Sequence, residues 1–248
     1  MSSSTGRLHH LESCGAVDGP GIRFLVFLQG CVMRCQYCHN RDSWDRQGGR
    51  EVAVDEILTE ARSYLPFMRA SGGGITCTGG EALLQPAFVR DLFQAAKAEG
   101  MHTCLDTNGY VCHYDEVLDQ LLAATDLVLL DLKHLDEGVH RELTGIPRRR
   151  PLAFARHLAA IGKPTWIRQV IVPGFTDSEA SMHLLGEFIE TMDNVERIEL
   201  LPYHALGEYK WQELGERYPL SGVEPPSGET MQRLVTIASQ YHPQVIAG

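Results

Sequence analysis

The feature that most constrains the fold is an alternation of short buried strands and amphipathic helical segments through most of the chain. Each strand candidate is a short apolar or β-branched run, typical of strands that are buried on both faces. The strand candidates are 22–28, 74–77, 102–106, 127–132, 165–172 and 195–201, and the helix candidates are 54–68, 86–99, 114–123, 152–161, 179–192 and 229–241. This alternation predicts an α/β protein with parallel strands and right-handed crossovers, either a doubly wound sheet or an incomplete barrel.

Composition restricts the class of protein further. With 248 residues, 44% of them hydrophobic, the chain is long enough for one large α/β domain. The net charge of −10 disfavours a nucleic-acid partner, which requires a basic face. No stretch approaches about 18 consecutive apolar residues, and the N-terminus lacks the apolar core of a signal peptide. We therefore expect a cytoplasmic protein that binds neither nucleic acid nor a membrane.

Three of the seven cysteines, Cys31, Cys35 and Cys38, have the spacing C-x3-C-x2-C directly after the first strand candidate. In a reducing compartment this pattern favours metal binding over disulfides. Structural zinc usually takes four ligands from paired clusters, and the sequence has no second C-x2-C pair. A [4Fe–4S] cluster normally takes four cysteines, so three thiolates leave one iron open for substrate chemistry. Two of the remaining cysteines, Cys77 and Cys104, lie in predicted strands and are expected to serve packing.

Polar residues and glycines follow several predicted strands, at the ends where α/β barrels build their active sites. The glycine turn at 79–81 permits close backbone approach to a ligand. Asp106, Thr107 and Asp131 offer the hard oxygen ligands that bind cations. Each of these features by itself also fits an ordinary turn, a helix cap or a solvated charge.

The cysteine loop, with Tyr37 before its last cysteine, resembles the signature of radical S-adenosylmethionine enzymes. Further motifs resemble one family among them, the pyruvate formate-lyase activating enzymes, which are glycyl-radical enzyme activases. These motifs lie at 12–21, 23–24, 29–31, 38–40, 44, 71–74, 79–81, 105–109, 130–133, 166–168 and 200–204. The resemblance therefore covers nearly the whole chain and is more specific than the cysteine spacing.

The resemblance implies a single-domain α/β fold, a partial (β/α)6 TIM-type barrel. Residues 1–21 would pack near the barrel mouth. Residues 22–203 would form the barrel, including a cluster loop at 30–45. Residues 204–248 would supply a C-terminal loop or lid and a final helix.

The resemblance also implies the reaction. Three cysteines hold three irons of a [4Fe–4S] cluster, and the amino and carboxylate groups of S-adenosylmethionine chelate the fourth. One electron, supplied by flavodoxin or a similar donor, cleaves the sulfonium–C5′ bond. The resulting 5′-deoxyadenosyl radical removes a hydrogen from a glycine Cα of pyruvate formate-lyase. The family further suggests a monomer.

The resemblance assigns roles to individual residues. The residues that it places on the cofactor are Tyr37, Cys38, His39, Gly79, Gly80, Glu81, Asp131, Leu132, Lys133, Arg168 and His204. A monovalent cation, Na+ or K+, would bind Asp106, Thr107, Leu129 and Asp131, with Leu129 using its backbone carbonyl. Asp18 and Arg168 would contact the substrate peptide.

Other functions stay open at this point. One is an activase of a related glycyl-radical enzyme, such as a 2-ketobutyrate formate-lyase. A radical enzyme that acts on a small molecule is another. From a different class come a non-catalytic iron–sulfur electron carrier and a zinc-binding structural module, and either of these would require a fourth fixed ligand.

Overall fold

The computed structural model describes residues 4–248, so residues 1–3 of the predicted N-terminal segment lie outside the described residues. The chain forms two compact units. The first contains the residues up to Cys31 together with Ser43–Leu129, and the second contains Val32–Asp42 together with Leu130–Gly248. The cysteine loop therefore leaves the first unit after Cys31 and returns to it at Ser43.

The first unit is built on strands in the order β3-β1-β2-β4-β5-β6. Their bounds are β1 Thr5–Gly15, β2 Arg23–Leu28, β3 Arg50–Ala53, β4 Gly74–Gly79, β5 His102–Thr107 and β6 Leu127–Asp131. Strand β1 pairs antiparallel with β2 and β3, whereas β2, β4 and β5 are parallel. The carboxyl ends of β4 and β5 therefore meet at one edge.

The helices of the first unit begin where the sequence supplies start signals. They are α1 Val54–Ala61, α2 Leu65–Ser71, α3 Pro86–Ala98 and α4 Glu116–Ala123. Pro86 occupies the first position of α3, where its missing N–H costs nothing. The Asp115 side chain caps α4 by accepting a hydrogen bond from the Leu118 N–H.

The second unit continues from β6 through β7 Thr165–Ile171 and β8 Val195–Pro202 to β9 Val245–Ala247. Its parallel pairs are β7 with β8 and β8 with β9. Its helices are α5 Glu137–Thr144, α6 Arg149–Ala160, α7 Glu179–Ile189, α8 Glu208–Glu213 and α9 Gly228–Ala238. Asp136 caps α5, Ser178 caps α7 and Ser227 caps α9, each through a side-chain oxygen.

All six predicted strands and all six predicted helical segments are confirmed, with shifted ends. The segment 54–68 is interrupted by a 3-10 turn at Arg62–Tyr64. Strands β1, β3 and β9 and helices α5 and α8 were not predicted. Within residues 4–248, no helix is both long enough and apolar enough to cross a bilayer.

Candidate active site

In the first unit, Cys31 is buried at the start of the cysteine loop, which leaves β2. Its N–H donates to the Trp44 carbonyl (3.2 Å), and the Gly30 N–H donates to the Ser43 carbonyl (2.7 Å). The side-chain amide of Asn108 lies 3.8 Å from the Cys31 sulfur. The thiol is therefore held on a fixed backbone and faces an N–H donor, which favours a sulfur that carries negative charge.

Glu81 joins the turn after β4 to the end of β5. Its side chain is 1% exposed. The carboxylate accepts hydrogen bonds from the Leu83 N–H (2.9 Å), the Thr107 hydroxyl (2.5 Å) and the Asn108 N–H (2.8 Å). Burial raises the pKa of Glu81 to about 7 against the opposing effect of these donors. Both carboxylate oxygens therefore accept hydrogen bonds, and these bonds hold the 79–81 turn against the end of β5.

The two glycines of this turn are required by close packing against the cysteine loop. The Gly80 N–H donates to the Leu28 carbonyl (2.9 Å), and the Glu81 N–H donates to the Gly30 carbonyl (2.8 Å). A Cβ at Gly80 would lie 2.3 Å from the Gly30 oxygen, and one at Gly79 would lie 2.4 Å from the Leu28 nitrogen. Gly79 also has a φ of +112°, which L side chains rarely adopt.

The cation ligands expected in this unit lie at or near strand ends. Asp106 and Thr107 close β5, and both are buried. One Asp106 oxygen accepts from the Thr78 hydroxyl at 2.6 Å. The Thr107 hydroxyl accepts from the Gly109 N–H at 2.9 Å. Leu129 is fully buried in β6, so only its backbone carbonyl can serve as a ligand.

Asp18 lies in a turn that a buried arginine holds through backbone carbonyls. The Asp18 carbonyl accepts from the Thr76 hydroxyl at 2.8 Å. Arg23 is completely buried, and its guanidinium donates to that same hydroxyl (2.8 Å) and to the Pro20 carbonyl (3.3 Å). These bonds fix the backbone of the turn that carries Asp18.

In the second unit, Asp131 at the end of β6 is shared by two cations. Its two oxygens lie 2.9 Å from the Lys133 Nζ and 3.2 Å from the Arg168 Nε. Burial opposes ionisation of Asp131, but the charges of Lys133 and Arg168 outweigh it and lower the pKa of the carboxyl. The Leu132 N–H donates to the Arg168 carbonyl (3.0 Å), which ties the backbones of these residues together. The Lys133 and Arg168 side chains both contact this one carboxylate, and cationic N–H donors of this kind also bind anionic ligand groups.

The Lys133 charge lies beside the middle cysteine of the loop. Cys35 and Tyr37 are buried, and the Lys133 Nζ is 5.4 Å from the centroid of the Tyr37 ring. Burial raises the pKa of Cys35 to about 12 and also raises that of Tyr37, while the Lys133 charge opposes both shifts. The Cys38 N–H donates to the Cys35 carbonyl at 3.1 Å, which closes the loop between the two thiols.

His39 and His204, which lie far apart in the sequence, come together in this unit. Their ring centroids are 4.2 Å apart, and the rings are tilted by 31°. The His39 Nε2 is 2.9 Å from the His204 carbonyl oxygen, so this nitrogen carries the proton and donates. Burial lowers the pKa of His39, which favours the neutral ring.

Among residues 4–248, no three His, Cys, Asp or Glu side chains are grouped so that they could hold one metal ion. In the same part of the chain, no cysteine forms a disulfide. In an iron–sulfur cluster each thiolate binds a different iron, so this finding concerns single-ion sites. The thiol donors and the Asn108 amide fit an iron–sulfur cluster, but the ligand roles of Cys31, Cys35 and Cys38 stay a prediction.

Two residues that contact the predicted site, Asn108 and Trp211, were given no role from the sequence. Asn108 links Glu81 to Cys31, and its signal was its place directly after the polar strand end at Asp106 and Thr107. Trp211 donates its indole N–H to the Cys38 carbonyl at 3.0 Å. Its only signal was an isolated tryptophan in a polar segment.

The parallel strands, the cysteine loop after β2 and the polar strand ends define a protein of the radical S-adenosylmethionine class. The sequence pattern of the Radical SAM superfamily matches residues 25–185. A solved domain of a pyruvate-formate lyase-activating enzyme from Bacteroides vulgatus has a TM-score of 0.60 and 28% identity, covering 71% of this chain and 99% of that one.

Comparison with curated relatives identifies the family within the radical S-adenosylmethionine class. The chain is 57% identical to pyruvate formate-lyase 1-activating enzyme of Escherichia coli (strain K12), over 98% of this chain and 99% of that protein. It is 49% identical to pyruvate formate-lyase-activating enzyme of Staphylococcus epidermidis, over 92% of both. The chain belongs to the family of pyruvate formate-lyase-activating enzymes.

Membership confirms the α/β fold class of the partial-barrel type and the radical S-adenosylmethionine enzyme class. It also implies a [4Fe–4S] cluster and S-adenosylmethionine as cofactors.

Proposed function

We propose that this protein activates pyruvate formate-lyase under anaerobic conditions by creating a glycyl radical in it. The observation that carries the proposal is the buried pair of cations, Lys133 and Arg168, sharing the single carboxylate of Asp131 beside Cys35. These two cationic side chains are suited to the carboxylate of S-adenosylmethionine next to a cluster-binding thiol. When bound, the cluster and S-adenosylmethionine supply the radical that abstracts the glycine hydrogen.

The roles of the chain's own residues follow from their placement. Cys31, Cys35 and Cys38 hold the cluster. Lys133 and Arg168 bind the cofactor carboxylate, with Tyr37, Asp131 and Leu132 holding them in position. The backbone of Gly79, Gly80 and Glu81 receives the methionyl amino group, and His39 and His204 flank the adenosine. Asp18 and Arg168 orient the substrate peptide, which must reach the reacting atoms closely because a radical is quenched in water.

The decisive experiment is anaerobic incubation of the reconstituted protein with S-adenosylmethionine, a reductant and pyruvate formate-lyase. We expect a glycyl-radical EPR doublet on the partner and release of 5′-deoxyadenosine. Cys35→Ala should abolish both, whereas Cys112→Ala, which alters an exposed free cysteine, should retain both. Cleavage of the cofactor by Cys35→Ala would overturn the ligand assignment. A doublet on 2-ketobutyrate formate-lyase alone would make that enzyme the partner.

We further propose reduced flavodoxin as the electron donor, a monomer in the cytoplasm, and a monovalent cation at Asp106, Thr107, Leu129 and Asp131. Flavodoxin should replace the chemical reductant, and sedimentation should give one 27.6 kDa species. Exchange of K+ or Na+ for a bulky organic cation should slow cofactor cleavage, and Asp106→Asn should remove that dependence. Cleavage that ignores the cation would reject the cation site.

The segment 204–226 is proposed to cover the entrance for the substrate peptide. Shortening of the exposed stretch around Gly222, at which a Cβ would meet nothing within 4 Å, should impair activation of pyruvate formate-lyase more than cleavage of S-adenosylmethionine. Unchanged activation after this deletion would refute the covering role.

A further inference from the structure

Residues 204–218, the strap, follow β8 and pack against residues 38–42, the last part of the cysteine loop. Both segments belong to the second unit. The Trp211 indole N–H donates to the Cys38 carbonyl, and the His39 ring N–H donates to the His204 carbonyl. Cys38 is half-buried, whereas Cys35 is buried.

Trp211 in α8 contacts the backbone of Cys38. Its indole N–H donates to the Cys38 carbonyl at 3.0 Å, and the side chain is buried. The Arg41 guanidinium lies 5.6 Å from the Trp211 ring centroid, and the Tyr218 ring packs edge-on at 5.7 Å. The Arg41 guanidinium and the Tyr218 ring thus both pack against the indole that holds the backbone of Cys38.

Gly207 brings the strap into backbone contact with the loop. A Cβ at this position would lie 2.5 Å from the His39 Cα and 2.9 Å from its ring. The φ of Gly207 is −84°, which any residue adopts, so glycine is required here by space and not by backbone conformation. The methyl group of an alanine at this position would therefore push the strap away from the cysteine loop.

Ion pairs also join the strap to residues 38–42. The Arg41 guanidinium forms a bidentate pair with Glu216, one bond of which measures 2.7 Å. The Lys210 Nζ lies 3.1 Å from Asp42 and 3.3 Å from Asn40. The strap therefore holds every residue from Cys38 to Asp42.

We propose that the strap positions Cys38 for the cluster, with Trp211 and Gly207 as positioning residues. The inference rests on the proposed function only in that Cys38 is taken as a cluster ligand. A loop held before the cluster arrives loses less conformational freedom on binding it, so the cluster is retained more strongly. Partners that orient metal ligands typically change metal retention by about 10–100-fold when they are removed.

The test uses the anaerobically reconstituted protein without substrate. Gly207→Ala and Trp211→Phe are compared with wild type and with Gly228→Ala, a glycine at which a Cβ would meet nothing within 4 Å. We measure the rate at which an iron chelator removes the cluster and the EPR spectrum of the reduced cluster. We expect about 10-fold faster loss and an altered EPR spectrum in both strap variants. Gly228→Ala should match wild type in both measurements.

Circular dichroism of the cluster-free proteins separates positioning from loss of fold. Strap variants that are folded and yet retain the cluster as wild type does, with the same EPR spectrum, would overturn the proposal. If both variants are unfolded, the same measurements are made on Glu216→Gln. This half-exposed side chain pairs with Arg41, and its substitution leaves the buried core unchanged. The cluster of this variant should be lost several-fold faster than in wild type, and an unchanged rate counts against the strap. Failure of the proposed function can be distinguished from failure of this proposal, because in that case the wild-type protein itself would form no glycyl radical on pyruvate formate-lyase.

Discussion

At the scale of the residue, the buried Arg23 at the start of β2 pairs with the part-buried His102 at the start of β5. Arg23 is completely buried, and its guanidinium lies 3.2 Å from the His102 Nδ1. The guanidinium also donates to the backbone carbonyls of Ile75 (2.5 Å) and His102 (3.3 Å). A buried cation is costly unless its donors are satisfied. The imidazole must therefore stay neutral, because only then can Nδ1 accept from Arg23.

This pair predicts acid sensitivity. The pKa of histidine in an unfolded chain is about 6.5, whereas burial, assisted by the Arg23 charge, lowers that of His102 to about 4. The unfolded chain therefore binds the proton first as the pH falls, and stability decreases between about pH 6.5 and pH 4. Since His102 is only part-buried, solvent screening reduces the expected loss to about 1–2 kcal/mol.

The measurement is urea unfolding of the cluster-free protein at pH 7.5 and pH 4.5. His102→Asn keeps an acceptor for Arg23 without the titration, so its stability should fall less between the two pH values than that of wild type. His113→Asn changes an exposed histidine and should behave as wild type does. Identical pH dependence in wild type and His102→Asn would show that this residue does not cause the acid sensitivity.

The turn glycine Gly80 gives a prediction about the site. In Gly80→Ala the new methyl would meet the Gly30 carbonyl at 2.3 Å, and backbone can yield only by displacing the turn or the cysteine loop. Overpacking of this kind costs about 1–3 kcal/mol. We expect lower stability and at least about 10-fold weaker binding of S-adenosylmethionine, measured by calorimetry on the reconstituted protein. Wild-type affinity in a folded Gly80→Ala would exclude a ligand role for this turn.

At the scale of the element, the buried parallel strands were predictable because each is a short run of mainly apolar or β-branched residues between turn signals. Strand β1 was not, since its sequence is mostly polar and its only buried residues are Gly6, Leu8 and Gly15. Helix α8 has six residues and no side-chain cap, which leaves no periodic pattern to detect. Helix α5 did carry signals, an Asp136 cap and Gly145 beyond its end, but its low hydrophobicity obscured them.

Packing of α7 against the segment after α9 gives a prediction about elements. A Cβ at Gly186 would lie 2.1 Å from the Tyr241 ring, whose hydroxyl contacts the His183 Nδ1 at 2.7 Å. The overpacking in Gly186→Ala should cost about 1–3 kcal/mol, offset in part by the preference of about 1 kcal/mol that a helix has for alanine over glycine. In a Tyr241→Ala background the clash is absent, so the same change should become stabilising.

The check is a double-mutant cycle in urea at one pH. We expect the two changes to couple by about 1–3 kcal/mol. If Gly186→Ala has the same effect with and without the Tyr241 ring, the close approach does not limit this position.

At the scale of the whole molecule, site features built from residues close together in the sequence could be predicted, and those built from distant residues could not. Three thiols within eight residues, and motifs at strand ends, are visible in the sequence. Contacts between distant segments are not, such as His39 with His204 or Trp211 with Cys38. The contact of both Lys133 and Arg168 with Asp131 also becomes visible only in the structure, since Arg168 lies 37 residues away.

Ligand linkage gives a prediction for the molecule as a unit. A ligand that binds only the folded state stabilises it by about 2.7 kcal/mol at 100 times its dissociation constant. For a protein of this size, about 1 kcal/mol raises the unfolding temperature by roughly 2–4 °C. S-adenosylmethionine at that concentration should therefore raise the melting temperature of the reconstituted protein by roughly 5–10 °C.

Thermal unfolding of variants, with and without S-adenosylmethionine, shows which residues contribute to this rise in melting temperature. Cys35→Ala should lose most of the shift, because without the cluster the cofactor has no iron to chelate. Lys133→Met should lose part of it, because the Asp131 carboxylate would then compete with the cofactor carboxylate for Arg168 alone. Cys112→Ala should keep the full shift. A full shift in Cys35→Ala would mean that the protein binds S-adenosylmethionine without a cluster, and the charge around Asp131 would then be the main source of affinity.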